Sequence, residues 1–127
     1  LASHKTGIPL DKIEVALGDT SLPKGPLSGG SLATPSIVPA VLQAADNAIE
    51  SLLSIATTIP ESPFKNRKSA DLAFDGGRVF LKAGVASGGV PFTDVLQRAN
   101  LRLVTGSGNS EATFGNPKPK FSTLSFG

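Results

Sequence analysis

Between Thr34 and Thr57 the chain carries one long helical pattern, and this constrains its fold more than any other feature. Val38, Val41, Ala45, Ala48, Ile49, Leu52 and Ile55 recur at three- and four-residue steps, while Asp46, Asn47, Glu50 and Ser51 fall on the opposite side. That spacing predicts an amphipathic helix with one face on a core. Thr34 is expected to be its N-cap and Pro35 its first helical residue, where a missing N–H costs nothing. A helix of this kind needs a surface to cover, and the rest of the chain must supply it.

The remaining segments read as short elements separated by turns. "KIEVALG" alternates, with Ile13, Val15 and Leu17 on one side, and predicts a half-buried strand ended by Gly18-Asp19-Thr20. "SADLAFDGGRVFLKAG" predicts a hairpin, with Leu72 and Phe74 on one strand, Asp75-Gly76-Gly77 at the turn, and Val79 and Leu81 on the other. "SGGVPFTDVLQRANL" predicts a short helix with Pro91 near its start and Phe92, Val95, Leu96 and Ala99 on its apolar side. "LRLVTGSG" reads as a further strand or its remnant, and the chain from Gly106 as a flexible connection into a terminal strand. With no βαβ rhythm, the expected class is α+β: a long and a short helix on a small mixed or antiparallel sheet. The expected subdivision is 1–33 strand and Gly/Ser loop, 34–57 long helix, 69–105 hairpin, short helix and strand, and 106–127 connection and terminal strand.

Composition narrows the chemistry. The 127 residues suit one domain, and 14 glycines with 10 prolines imply many turns. The absence of cysteine rules out disulfides, thiolate zinc sites and iron–sulfur ligation by this chain. It fits cytoplasmic and periplasmic proteins alike. The net charge is +2, and only Lys65, Arg67 and Lys68 cluster, so no basic stripe for nucleic acid is present. No stretch has the roughly 18 apolar residues a membrane span requires. His4 is the only histidine and lies near the terminus, a poor foundation for a triad or a metal site. The carboxylates have local explanations: Asp19 and Asp75 in turns, Glu14 on a strand's polar side, Asp94 near a helix start. No catalytic residue and no metal ligand set is expected. The chain lacks methionine, opens on Leu1-Ala2-Ser3-His4 and closes on the alternating "KFSTLSFG". We read it as a piece of a larger polypeptide that could self-associate through Phe121, Leu124 and Phe126.

What remains is "PLSGGSLATPS", Pro26 to Ser36, directly before the long helix. Glycines let a backbone approach a ligand closely, and N–H groups at a helix start favour a negative group. Ser28, Ser31, Thr34 and Ser36 add hydroxyls, so the stretch could hold a phosphate or pyrophosphate. It could equally be an ordinary capped turn. The spacing is neither a P-loop nor the dinucleotide fingerprint. A second Gly-rich stretch, "ASGGVP" (Ala86 to Pro91), precedes the short helix.

Gly18-Asp19-Thr20, then Ser28-Gly29-Gly30-Ser31, then a helix starting on small residues: this ordered set resembles the molybdenum-cofactor-binding large subunit of the xanthine dehydrogenase / aldehyde oxidase family, bacterial members most closely. "LAFDGGRVFLKAG" and "FTDVLQRANL" resemble the region that follows. The resemblance implies part of a molybdopterin-binding domain from a hydroxylase that oxidises aldehydes or N-heterocycles with oxygen from water. It implies iron–sulfur and FAD subunits or domains as partners. It also implies pyranopterin contacts, in some members to a cytosine dinucleotide form, from Ser28, Gly29, Gly30 and Ser31, with Thr34 and Ser36 as further candidates. The family's catalytic glutamate lies in a Gly-Val-Gly-Glu-like segment that this chain lacks, as it lacks the Gly-Gln-Gly type loop. Glu14, Glu50, Glu61 and Glu111 do not take that role. The alternative is a non-catalytic α+β binding or scaffolding domain. One outcome is expected directly: the chain purified alone retains no molybdenum and oxidises no aldehyde. Elemental analysis and a turnover assay check this, and near one equivalent of metal with activity would overturn it.

Overall fold

The computed structural model describes residues 1–25, 33–85 and 88–109, and of residues 33–35 the backbone only. The order is α1 (Ala2–Thr6), α2 (Ala33–Thr58), β1 (Leu72–Asp75), β2 (Arg78–Leu81), β3 (Val90–Pro91) and α3 (Phe92–Arg98), with 3-10 turns at Leu10–Lys12 and Ser69–Asp71. The three strands form one antiparallel sheet in the order β1-β2-β3. The fold is α+β.

The core gathers on the C-terminal half of α2. Leu52, Leu53, Ala56 and Ile59 are buried with Phe64, Leu72, Val79, Val95 and Leu96. Leu52, Ala56 and Ile59 follow the four- and three-residue steps of one helical stripe. The expected stripe is present but unevenly used. Val38, Val41, Ala45 and Ala48 are only half-buried, whereas Asp46, Asn47, Glu50 and Ser51 face solvent.

Local sequence explains the hairpin. Gly76 and Gly77 have φ of 57° and 79°, the two positive values that a tight two-residue turn between right-twisted strands requires. The turn sets Leu72 opposite Leu81 and Phe74 opposite Val79. Phe74 also meets Phe92 edge-on, with ring centroids 6.2 Å apart. Helix α3 ends at Asn100, whose φ of 56° lets its N–H bond the Gln97 carbonyl while Leu101 N–H bonds that of Leu96. This closes the helix's last carbonyls.

Three segments differ from the expectations. Residues 13–17 form no strand: no ladder partner lies beside them among the described residues, and Val15 and Leu17 are 74% and 83% exposed. Alternation sets which side chains share a face, but a strand also needs a neighbour to bond. The first residues, for which no element was expected, form α1, which lies on α2 with Lys5 2.7 Å from Asp46. Both partners are well exposed, so the pair is worth about 0–1 kcal/mol.

The third difference concerns "LRLVTGSG". Residues 101–109 form no strand, and Gly106–Asn109 is not a free connection but a strap lying on α2. A Cβ on Gly106 would overlap the Ala44 carbonyl and crowd Ala48, and one on Gly108 would overlap the Ala40 carbonyl and crowd Ala44. The strap therefore runs antiparallel to α2. Two residues of extended chain advance about 6.7 Å and four residues of helix about 6 Å, so successive glycines meet successive alanines. Asn47 Nδ2 donates to the Ser107 carbonyl at 2.7 Å, and Asn109 N–H donates to Gln43 Oε1 at 2.8 Å. Each bond contributes about 0.5–1.5 kcal/mol net.

Leu72 is 1% exposed and joins sheet to helix. Leu72→Ala is expected to cost about 2–5 kcal/mol. Urea unfolding of the variant against the parent measures it.

Candidate functional site

The loop that could hold an anion is flanked by two described pieces, the turn at Gly18–Leu22 and the start of α2. The turn is built by its own residues. Gly18 has φ 81°, which a side chain would strain. Asp19 Oδ1 accepts from Ser21 N–H at 2.8 Å and from Ser21 Oγ at 2.7 Å, and Leu22 N–H closes onto the Asp19 carbonyl at 3.1 Å. Asp19-Thr20-Ser21-Leu22 is thus a turn that follows directly on Gly18, with Asp19 in it as its residue type predicts.

Ser28, Gly29, Gly30 and Ser31 lie outside the described residues. Thr34 is not the N-cap. α2 starts at Ala33, so Thr34 is the second helical residue and Pro35 the third. Pro35 is still within the first turn, where no intrahelical acceptor is available and its missing N–H costs no bond. Ser36 is buried at 7% exposure and partnered. Of the six candidate residues, then, two sit in the first turn of α2, and four precede it in the sequence, outside the described residues.

The electrostatics of this end suit a negative group. The first turn of α2 contains no acidic residue. From Thr20 to Ala45 the chain has no carboxylate at all, and Lys24 is its only charge. A helix start carries roughly +0.5 of an elementary charge, and here no side chain of the helix's own first turn neutralises it. The sequence leading into it is rich in hydroxyl side chains and glycines, residue types that anion-binding stretches before helices use.

Other candidates resolve into structure. Gly89, in the second Gly-rich stretch, accepts Arg78 Nη1 at 2.8 Å and leads into β3, so that stretch serves the sheet. Lys65, Arg67 and Lys68 are exposed. Among the described residues no group of His, Cys, Asp or Glu could hold a metal ion. No described helix is long and apolar enough to cross a membrane.

A sequence model of the molybdopterin cofactor-binding domain matches residues 1–127. The chain belongs to that family. No curated protein matches it. The residues unforeseen from sequence are Gln43, Asn47, Gly106 and Gly108. Their signal was the pairing of alanines four apart, at 40, 44 and 48, with glycines two apart.

The Asp19 carboxyl is held below the ordinary aspartate range, chiefly by Ser21 N–H and secondarily by the Ser21 hydroxyl. A depressed pKa means the turn's support is complete above the ordinary aspartate value and is lost as pH falls through the lowered one. Ser21→Ala removes only the smaller cause, so the Asp19 midpoint should rise part of the way back. A carboxyl carbon-13 titration of both proteins checks this, and an unmoved midpoint would exclude the hydroxyl's contribution.

Proposed function

We propose that this chain supplies one wall of the pyranopterin site in a molybdenum hydroxylase of the xanthine dehydrogenase / aldehyde oxidase type. The observation that carries the proposal is the start of α2. A Gly/Ser loop without carboxylates leads into an unneutralised helix end, in a chain that belongs to a molybdopterin-binding family. Ser28, Gly29, Gly30 and Ser31 contact the cofactor's phosphate, in some enzymes of this type as part of a cytosine dinucleotide. Thr34 and Ser36 support the loop from the first helical turn. When bound, molybdenum would supply the oxygen-transfer chemistry, with iron–sulfur and flavin groups on partner subunits or domains as the expected electron acceptors. This chain's residues bind and orient the cofactor. On this reading no acid or base role falls to this chain, and that role sits on a glutamate segment elsewhere in a parent protein.

The test replaces the loop's donors in the full-length polypeptide. A hydrogen bond to a charged group is worth about 1.5–3 kcal/mol, so Ser28→Ala with Ser31→Ala should weaken cofactor retention at least about tenfold. Gly30→Val should do the same by blocking close approach. Molybdenum per chain and released pterin measure retention. Full occupancy in both variants would sink the proposal.

A further inference from the structure

The half of α2 that opens on the candidate loop is the half with the least reason to stay helical. Pro39 lies inside the helix and cannot donate to the carbonyl four residues back. Ile37, Val38 and Val41 are β-branched, which lowers helix propensity. The buried core begins only at Leu52, and before it Ser36 is the sole fully buried position among the described residues of α2. What lies on this half, beside the α1 contact at Asp46, is the strap. Gly106 and Gly108 seat against Ala40, Ala44 and Ala48, immediately after Pro39. Gln43 and Asn47, one turn apart, hold the strap's backbone from the side.

We propose that Val104–Asn109 is a brace for the proline-weakened half of α2, and that Gly106, Gly108, Gln43 and Asn47 are positioning residues for the cofactor loop. This rests on the cofactor reading above. The strap keeps residues 37–48 helical and in place, and the position of Ala33 at the start of α2 follows from them. The glycines are required because only a hydrogen fits between strap and helix. The two amides are required because the strap offers little apolar side-chain contact of its own: Val104 is half-buried, whereas Leu101 and Leu103 are 44% and 65% exposed.

The experiment compares Gly106→Ala and Gly108→Ala with the parent in the full-length polypeptide, by hydrogen exchange and by molybdenum content. Exchange in 37–48 should quicken about tenfold while that in 52–56 and 72–81 stays unchanged, because local opening leaves the core intact. Molybdenum per chain should fall about threefold or more. Should either glycine variant fail to fold, Gln43→Leu with Asn47→Leu removes the two bonds from exposed positions and carries the same expectations. Unchanged exchange in 37–48 would overturn the brace. Quickened exchange with full molybdenum content would overturn the positioning role while leaving the cofactor reading intact. That reading stands or falls separately, on whether the loop variants keep their metal.

Discussion

The packing of Leu52, Ala56 and Ile59 against Leu72, Val79 and Val95 holds this structure together. It is the one place where α2, the sheet and α3 all lose water at once, and burial of that kind is the main favourable term in folding. The hairpin turn, the α3 terminus and the edge-on Phe74–Phe92 pair each refine an arrangement this contact already imposes. Phe64 and the 3-10 turn at Ser69–Asp71 bring the chain back from α2 in time for Leu72 to enter it.

One consequence is a division of labour along α2. Its C-terminal half is committed to the core. Its N-terminal half is left for small residues, prolines and hydroxyls, the composition that close approach to another backbone or to a ligand requires. Alanines at 40, 44 and 48 are poor core residues but good neighbours for a glycine backbone. The strap-bearing half and the fold-holding half thus belong to one helix without competing for the same side chains.

How much of this the residues declare depends on how local the cause is. The Gly76-Gly77 turn and the alternation around it dictate the hairpin within a few positions, so it is legible. Helix α3 is legible for the same reason, with Val95 and Leu96 on the face its spacing indicates. The extent of α2 is readable to within a residue or so, but which half of its stripe would be buried is decided by tertiary partners. Residues 13–17 mislead because alternation is necessary for a strand and not sufficient. The strap is hidden most deeply, since its cause is a match of step lengths between segments some sixty residues apart, as in the Asn47–Ser107 bond. At the candidate site, residue types alone suggest an anion-binding stretch, and Ser28 to Ser31 lie outside the described residues, while Gln43 and Asn47 are ordinary polar positions on a helix until the strap is seen against them.

Gly7 has a consequence for how such a domain could change. Its backbone abuts Asp75 and Gly76 at the tip of the hairpin, and its φ of 68° ends α1 there. The chain between Gly7 and Ala33 is therefore fixed at both ends, by the hairpin tip and by the first turn of α2. Doubling the length of such a stretch costs only about 0.6 kcal/mol in closure entropy. Lengthening or shortening it leaves the core stripe and the sheet register untouched. The stretch between α1 and α2 can thus change in length while the scaffold on either side of it is inherited unchanged.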